Sequence, residues 1–83
     1  MLILYFASLR ERVGYGEETL DVPTDIVTIA DLARWLSTRS EGHSEALANT
    51  AAIRVARDQV HVDFDAPVEG AREIAFFPPV TGG

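Results

Sequence analysis

At 83 residues the chain has room for one domain, spanning 1–83, with a small core. Hydrophobic residues at 47% and charged residues at 24% exclude a disordered chain, and 7 basic against 13 acidic residues, a net charge of −6, argue against a nucleic-acid partner. No apolar run approaches the ~18 residues that span a bilayer, and no basic region precedes the apolar start of the chain, so no membrane role and a cytoplasmic location are expected.

Two absences narrow the chemistry further. Without cysteine there are no disulfides, thiolate metal ligands or thiol nucleophiles. Without lysine, an activated acyl group carried here meets no side-chain amine on its own chain.

Residues 1–6 are uniformly apolar, too short a run for a helix and rich in strand formers, which predicts a first strand with both faces covered. Ser8-x-x-Glu11, with Leu9 and Val13 behind it and Gly14 after, predicts a short helix capped at Ser8 and closed by glycine. Residues 18–22 alternate, with Leu20 and Val22 on one face, and Pro23 stops this second strand. Thr28-x-x-Asp31 is a second capping signal; behind it Ile29, Leu32, Ala33 and Leu36 share one stripe, predicting the main helix over 29–39. Gly42 is expected to break the chain, with one more helical turn over 44–48. Ile53, Val55 and Arg57 read as a third strand, Arg57-Asp58-Gln59 as a tight turn into Val60–Val62, and Glu73–Phe77 as the last strand, ended by Pro78-Pro79.

The fold class is therefore α+β, with about five strands in a mixed sheet, one main helix and short accessory helices. One helix covers only one face of a sheet. Yet the first strand is apolar on both sides, Ile3 and Tyr5 against Leu2, Leu4 and Phe6, and the adjacent Phe76 and Phe77 must point to opposite faces. A contiguous apolar second face of this kind marks a protein partner unless loop residues of the chain fold across it.

The chemistry concentrates in Phe76-Phe77-Pro78-Pro79-Val80-Thr81-Gly82-Gly83. The prolines end strand pairing and stiffen the exit. The four residues after Pro79 reach at most roughly 13–14 Å, and Gly82-Gly83 makes a tip thin enough for a narrow channel. A terminal carboxylate is a poor electrophile until activated, for example as an acyl-adenylate. The tail, about 78–83, has the form of a delivery arm whose activation comes from another protein. Other candidates carry less. His43 and His61 read as exposed loop or strand histidines rather than a metal pair, Glu17-Glu18 as an exposed strand start, and Asp63 and Asp65 as solvated acids. Gly14-x-Gly16 lacks the strand-to-helix setting of a phosphate loop.

A short α+β chain ending in Gly-Gly resembles the β-grasp, ubiquitin-like sulfur carriers. Residues 76–83 look like the signature of one branch, the small subunits of molybdopterin synthase, and Tyr5-Phe6-Ala7-Ser8-Leu9-Arg10-Glu11 and Val62-Asp63-Phe64 are similar to its pattern. The middle, 42–57, matches weakly, and His61 stands where the branch more often has an aliphatic residue. The resemblance implies a β-grasp fold and a sulfur-carrying subunit with no catalysis of its own. It implies adenylation of Gly83 by a ubiquitin-activating-type enzyme using ATP and Mg, conversion to a thiocarboxylate by a sulfur donor protein, and sulfur delivery to cyclic pyranopterin monophosphate. The cofactors belong to the activating enzyme and none to this chain. Pro78, Pro79, Val80, Thr81 and Gly82 would insert into the large synthase subunit, in a heterotetramer, with Phe6, His61 and Phe77 at the interface. A carrier for thiazole or another sulfur product, a ubiquitin-like protein modifier and a plain interaction module are the alternatives.

Overall fold

The computed structural model describes residues 1–79. The expectations for Val80, Thr81, Gly82 and Gly83 lie outside the described residues. The N-terminal apolar run forms strand β1, Leu2–Tyr5, in which buried Ile3 and Tyr5 alternate with half-buried Leu2 and Leu4. Helix α1 follows at once, Ala7–Val13. Its N-cap is Phe6, with no side-chain cap bond, so the reading of Ser8 as the cap is corrected. The corner from strand to helix is made at Ala7, whose φ of 52° turns the chain before Ser8 is reached. Gly14 closes α1 as expected, at φ 101° with its N–H on the Arg10 carbonyl.

Strand β2 is Glu17–Thr19, antiparallel to β1, and is shorter than the expected 18–22. The ladder ends at the Leu2–Thr19 pair, Met1 and Leu20 add one more exchange of backbone bonds, and Leu20 and Val22 pack against the core from beyond the strand. The main helix α2 spans Ile29–Ser37 under a full capping box: Thr28 Oγ1 accepts from the Asp31 amide, and the Asp31 carboxylate accepts from the Thr28 amide. It ends two residues before Arg39. Helix α3, Glu41–Ala46, starts earlier than the expected 44–48, with Ser40 as N-cap accepting from the His43 amide. Gly42 therefore lies inside a helix rather than breaking the chain. Its lack of a side chain serves helix packing: a Cβ there would stand 2.2 Å from the Arg12 carbonyl oxygen of α1.

A 3-10 turn at Thr50–Ala52 leads through Ile53 into β3, Arg54–Arg57. The two-residue turn Asp58-Gln59 has positive φ at both positions, 49° and 70°, the backbone that matches hairpin twist. It feeds β4, Val60–Val62. The Asp58 carboxylate accepts the amides of Arg72 and Glu73, tying the turn to the start of β5, Glu73–Phe77.

The sheet order is β2-β1-β5-β3-β4, with β1 and β5 parallel and the other neighbours antiparallel. Ile3, Tyr5, Val55, Ile74 and Phe76 form one sheet face, and they join the buried residues of all three helices in a single core. This is the β-grasp arrangement anticipated above. Among the described residues, no helix is long and apolar enough to cross a membrane.

Candidate docking face and tail base

The strand registers define the opposite sheet face residue by residue. Leu4 faces Glu17 on one side and Ala75 on the other, Ala75 faces Ala56, and Ala56 faces His61. One step toward the C-terminal end of β5, Phe77 faces Arg54, and Phe6 follows β1 beside it. None of Leu2, Leu4, Phe6, Ala56, Ala75 or Phe77 belongs to the helix-covered core. The apolar second face foreseen in the sequence is therefore present, half-buried at Leu2, Leu4 and Phe77 and outside the helix-covered core. Small Ala56 and Ala75 are buried at its floor, while Phe6 is 49% exposed at its rim.

Phe6 is informative because folding alone disfavours it. At a helix N-cap, Ser, Thr, Asp or Asn would satisfy an orphan amide, and Phe cannot. His61 is exposed and lies against Phe77, their ring centroids 5.1 Å apart at 52°. The three proposed interface residues thus share one face: Phe77 and His61 in direct contact, and Phe6 just past the end of β1, its amide bonded to the Phe76 carbonyl next to Phe77.

The same edge carries the start of the tail. Pro78 is half-buried and lines a groove together with Ser8, Leu9, Arg12, Asn49 and Ile53, so the base of the arm borders α1 and the turn before β3. Pro79 is exposed. With no proline amide to donate, sheet pairing ends at Phe77.

Elsewhere the structure corrects the reading of two residues. His43, expected to be exposed, is 2% exposed, and Glu18, expected at a solvated strand start, has a side chain only 11% exposed. They form a hydrogen-bonded cluster. His43 Nε2 is 2.8 Å from Glu18 Oε2, which also accepts from Tyr5 OH at 2.7 Å, and Tyr15 OH donates to Glu18 Oε1 at 3.0 Å. Ser40 Oγ lies 2.7 Å from His43 Nδ1, and Arg39 approaches Glu18 Oε1 at 3.8 Å. Burial alone would raise the Glu18 carboxyl, but the bonds from His43, Tyr5 and Tyr15 outweigh it and hold the group below the ordinary carboxylate range. Burial, with the bond to Glu18, raises the Tyr5 phenol. Among the described residues no buried side-chain polar atom lacks a partner, and the cluster joins β1, β2 and α3, which makes it a structural bolt. Its only sequence signal was Ser40-x-x-His43 at N-cap spacing; the approach of Glu18 and His43, 25 residues apart, is a product of the fold.

Among the described residues no group of three His, Cys, Asp or Glu side chains is placed to hold a metal. What this surface offers is a broad apolar contact next to a stiff exit, which suits a partner that takes up a chain end.

Comparison with known proteins agrees along the whole chain. The model of the ThiS family matches residues 3–83. A molybdopterin synthase sulfur carrier subunit of Escherichia coli (strain K12) is 37% identical over 81 residues, covering 98% of this chain and 96% of the relative. The subunit of the same description from Mycosarcoma maydis is 32% identical over 84 residues, covering 98% and 90%. Among solved structures, SAMP1 from Haloferax volcanii gives a TM-score of 0.71 at 26% identity over 99% of this chain and 97% of its own. A putative molybdopterin converting factor, subunit 1, from Pyrococcus furiosus gives 0.76 at 23% identity over 95% of each chain, a likeness of fold. By sequence and by fold the chain belongs to the ThiS family, beside the molybdopterin synthase sulfur carrier subunits.

Proposed function

We propose that this chain is the sulfur carrier subunit of a molybdopterin synthase and that the carboxylate of Gly83 is the group it carries. The observation that carries the reading is the joining of two features at one edge: an apolar face outside the helix-covered core ending in Phe6 and Phe77, and the Pro78-Pro79 exit directly after Phe77. A partner that covers the face is thereby positioned to receive the tail. The relatives' description as carrier subunits, over 98% of this chain, supplies the kind of cargo.

In this account an adenylating enzyme of the ubiquitin-activating type uses ATP and Mg. A Gly83 carboxylate oxygen attacks the α-phosphorus and pyrophosphate leaves. Hydrosulfide-level sulfur released by a donor protein then attacks the acyl carbon and expels AMP, giving the thiocarboxylate. The charged tail, residues 78–83, enters the large synthase subunit, with Phe6, Phe77 and His61 at the contact, in a heterotetramer. There the thiocarboxylate sulfur displaces an oxygen substituent on a carbon of cyclic pyranopterin monophosphate, and water then cleaves the thioester so formed, leaving the sulfur on the pterin and Gly83 as a carboxylate. Throughout, this chain contributes reach, docking and a leaving carboxylate; acids, bases and ions belong to its partners.

Reconstitution tests the reading. With the large subunit, activating enzyme, sulfur donor and ATP, the full chain should support molybdopterin formation, and a chain lacking Gly83 should fold but support none. Undiminished product from the truncated chain would overturn it. Gly83-linked protein conjugates without product would instead favour the modifier reading.

A further inference from the structure

The second sheet face carries one cation in its apolar part. Arg54 is the register partner of Phe77 across β3 and β5, and its side chain belongs to this face with those of Phe77, Ala56 and His61. It is exposed. Three other arginines pair with carboxylates of this chain: Arg34 with Asp31, Arg39 with Glu18 and Arg57 with Asp58. Among the described residues Arg54 has no carboxylate within ion-pair distance, and its guanidinium donates only to the carbonyl of the preceding Ile53, at 3.2 Å. Asp63 lines the same shallow cleft beyond β4, together with His61, yet it does not pair with Arg54.

Geometry links this charge to the apolar contact. A protein surface that covers Phe77 also covers its register neighbour Arg54, and so removes water from the guanidinium. Burying an arginine without an acceptor is costly, whereas a carboxylate in the facing surface turns the same burial into a charge-assisted, two-pronged contact. We propose that Arg54 is a specificity residue of the docking face, selecting a partner protein that presents a carboxylate beside the pocket for Phe77. The inference rests on the proposed carrier role and adds the chemistry that the receiving surface must have. It also gives an acidic chain, net −6, a local point of attraction for an acidic patch that the rest of its surface repels.

The test is titration calorimetry of the purified full-length chain against the large subunit of molybdopterin synthase, at low and at high salt. Arg54→Gln should weaken binding by about tenfold or more, Arg54→Glu further, and Arg54→Lys by an intermediate factor. The salt dependence of the wild type should flatten in Arg54→Gln. Because Arg54 is exposed, unchanged urea midpoints would separate the effect from folding. Binding of Arg54→Glu within about twofold of wild type, while Phe77→Asp abolishes binding, would overturn this inference and leave the carrier reading standing. Absence of binding by the wild-type chain at micromolar concentration would overturn both.

Discussion

Replacing Gly42 by alanine sets two effects of opposite sign against each other, and the structure decides between them. Inside a helix, alanine is more favourable than glycine by at most about 1 kcal/mol. Gly42 lies in α3, so propensity alone predicts a more stable protein. The added Cβ, however, would sit 2.2 Å from the Arg12 carbonyl oxygen, 3.1 Å from its carbonyl carbon and 3.3 Å from the Val13 Cα. These are backbone atoms of α1, and no rotamer change relieves the contact. Helices α1 and α3 must move apart by about 1 Å, which loosens the packing of the core that contains Leu9 and Ala46; overpacking of this kind costs about 1–3 kcal/mol, with backbone displacement toward the upper end. The net expectation is a loss of about 1–2 kcal/mol, or a fall in melting temperature of roughly 5–15 °C for a domain of this size. Urea unfolding at constant m-value and a thermal melt both report it. A Gly42→Ala protein as stable as the wild type, or more so, would refute the close packing of α1 on α3.

Glu18→Gln should destabilise the fold by about 1–3 kcal/mol at neutral pH, because it weakens three bonds to a largely buried carboxylate. The folded state holds the Glu18 carboxyl below its ordinary value of 4.5. Its contribution is therefore complete above that value and is lost as pH falls through the lower folded value. Urea midpoints measured from neutral to acid pH should fall less steeply for Glu18→Gln than for wild type. Gln59→Gly should raise stability by about 0.5–1 kcal/mol in the same assay, since relief of the left-handed conformation exceeds the added entropy of the unfolded chain. Removing Gly83 should leave the unfolding curve superimposable on that of the wild type while ending any transfer of sulfur, as read by pterin product formation.

Most of this architecture was legible in local pattern. The apolar first strand, the Thr28–Asp31 capping box, the stripe of Ile29, Leu32, Ala33 and Leu36, and the Asp58-Gln59 hairpin all express interactions within a few residues, and each appears where the spacing put it. The apolar second face was legible as well, because a continuous run alternates on both sides of a strand whatever its neighbours are. What failed depended on distant partners. Ser8-x-x-Glu11 has the form of a capping box, but the β1–α1 corner at Ala7 places the helix start ahead of it. Gly42 looked like a breaker because nothing near it in sequence shows that the Arg12 backbone fills its side-chain space. His43 looked exposed because its acceptor, Glu18, arrives from another strand. At the proposed docking face the family resemblance named Phe6, His61 and Phe77. It passed over Arg54, whose significance comes from standing opposite Phe77 in the sheet register.

The account turns on whether Gly83 carries sulfur. Incubating the full chain with the activating enzyme, the sulfur donor and Mg-ATP, followed by whole-protein mass measurement, addresses this directly. A gain equal to one oxygen exchanged for sulfur, present in the full chain and absent when ATP is withheld or Gly83 is deleted, is the predicted result. An unchanged mass under conditions in which a known carrier is fully converted would contradict the central claim.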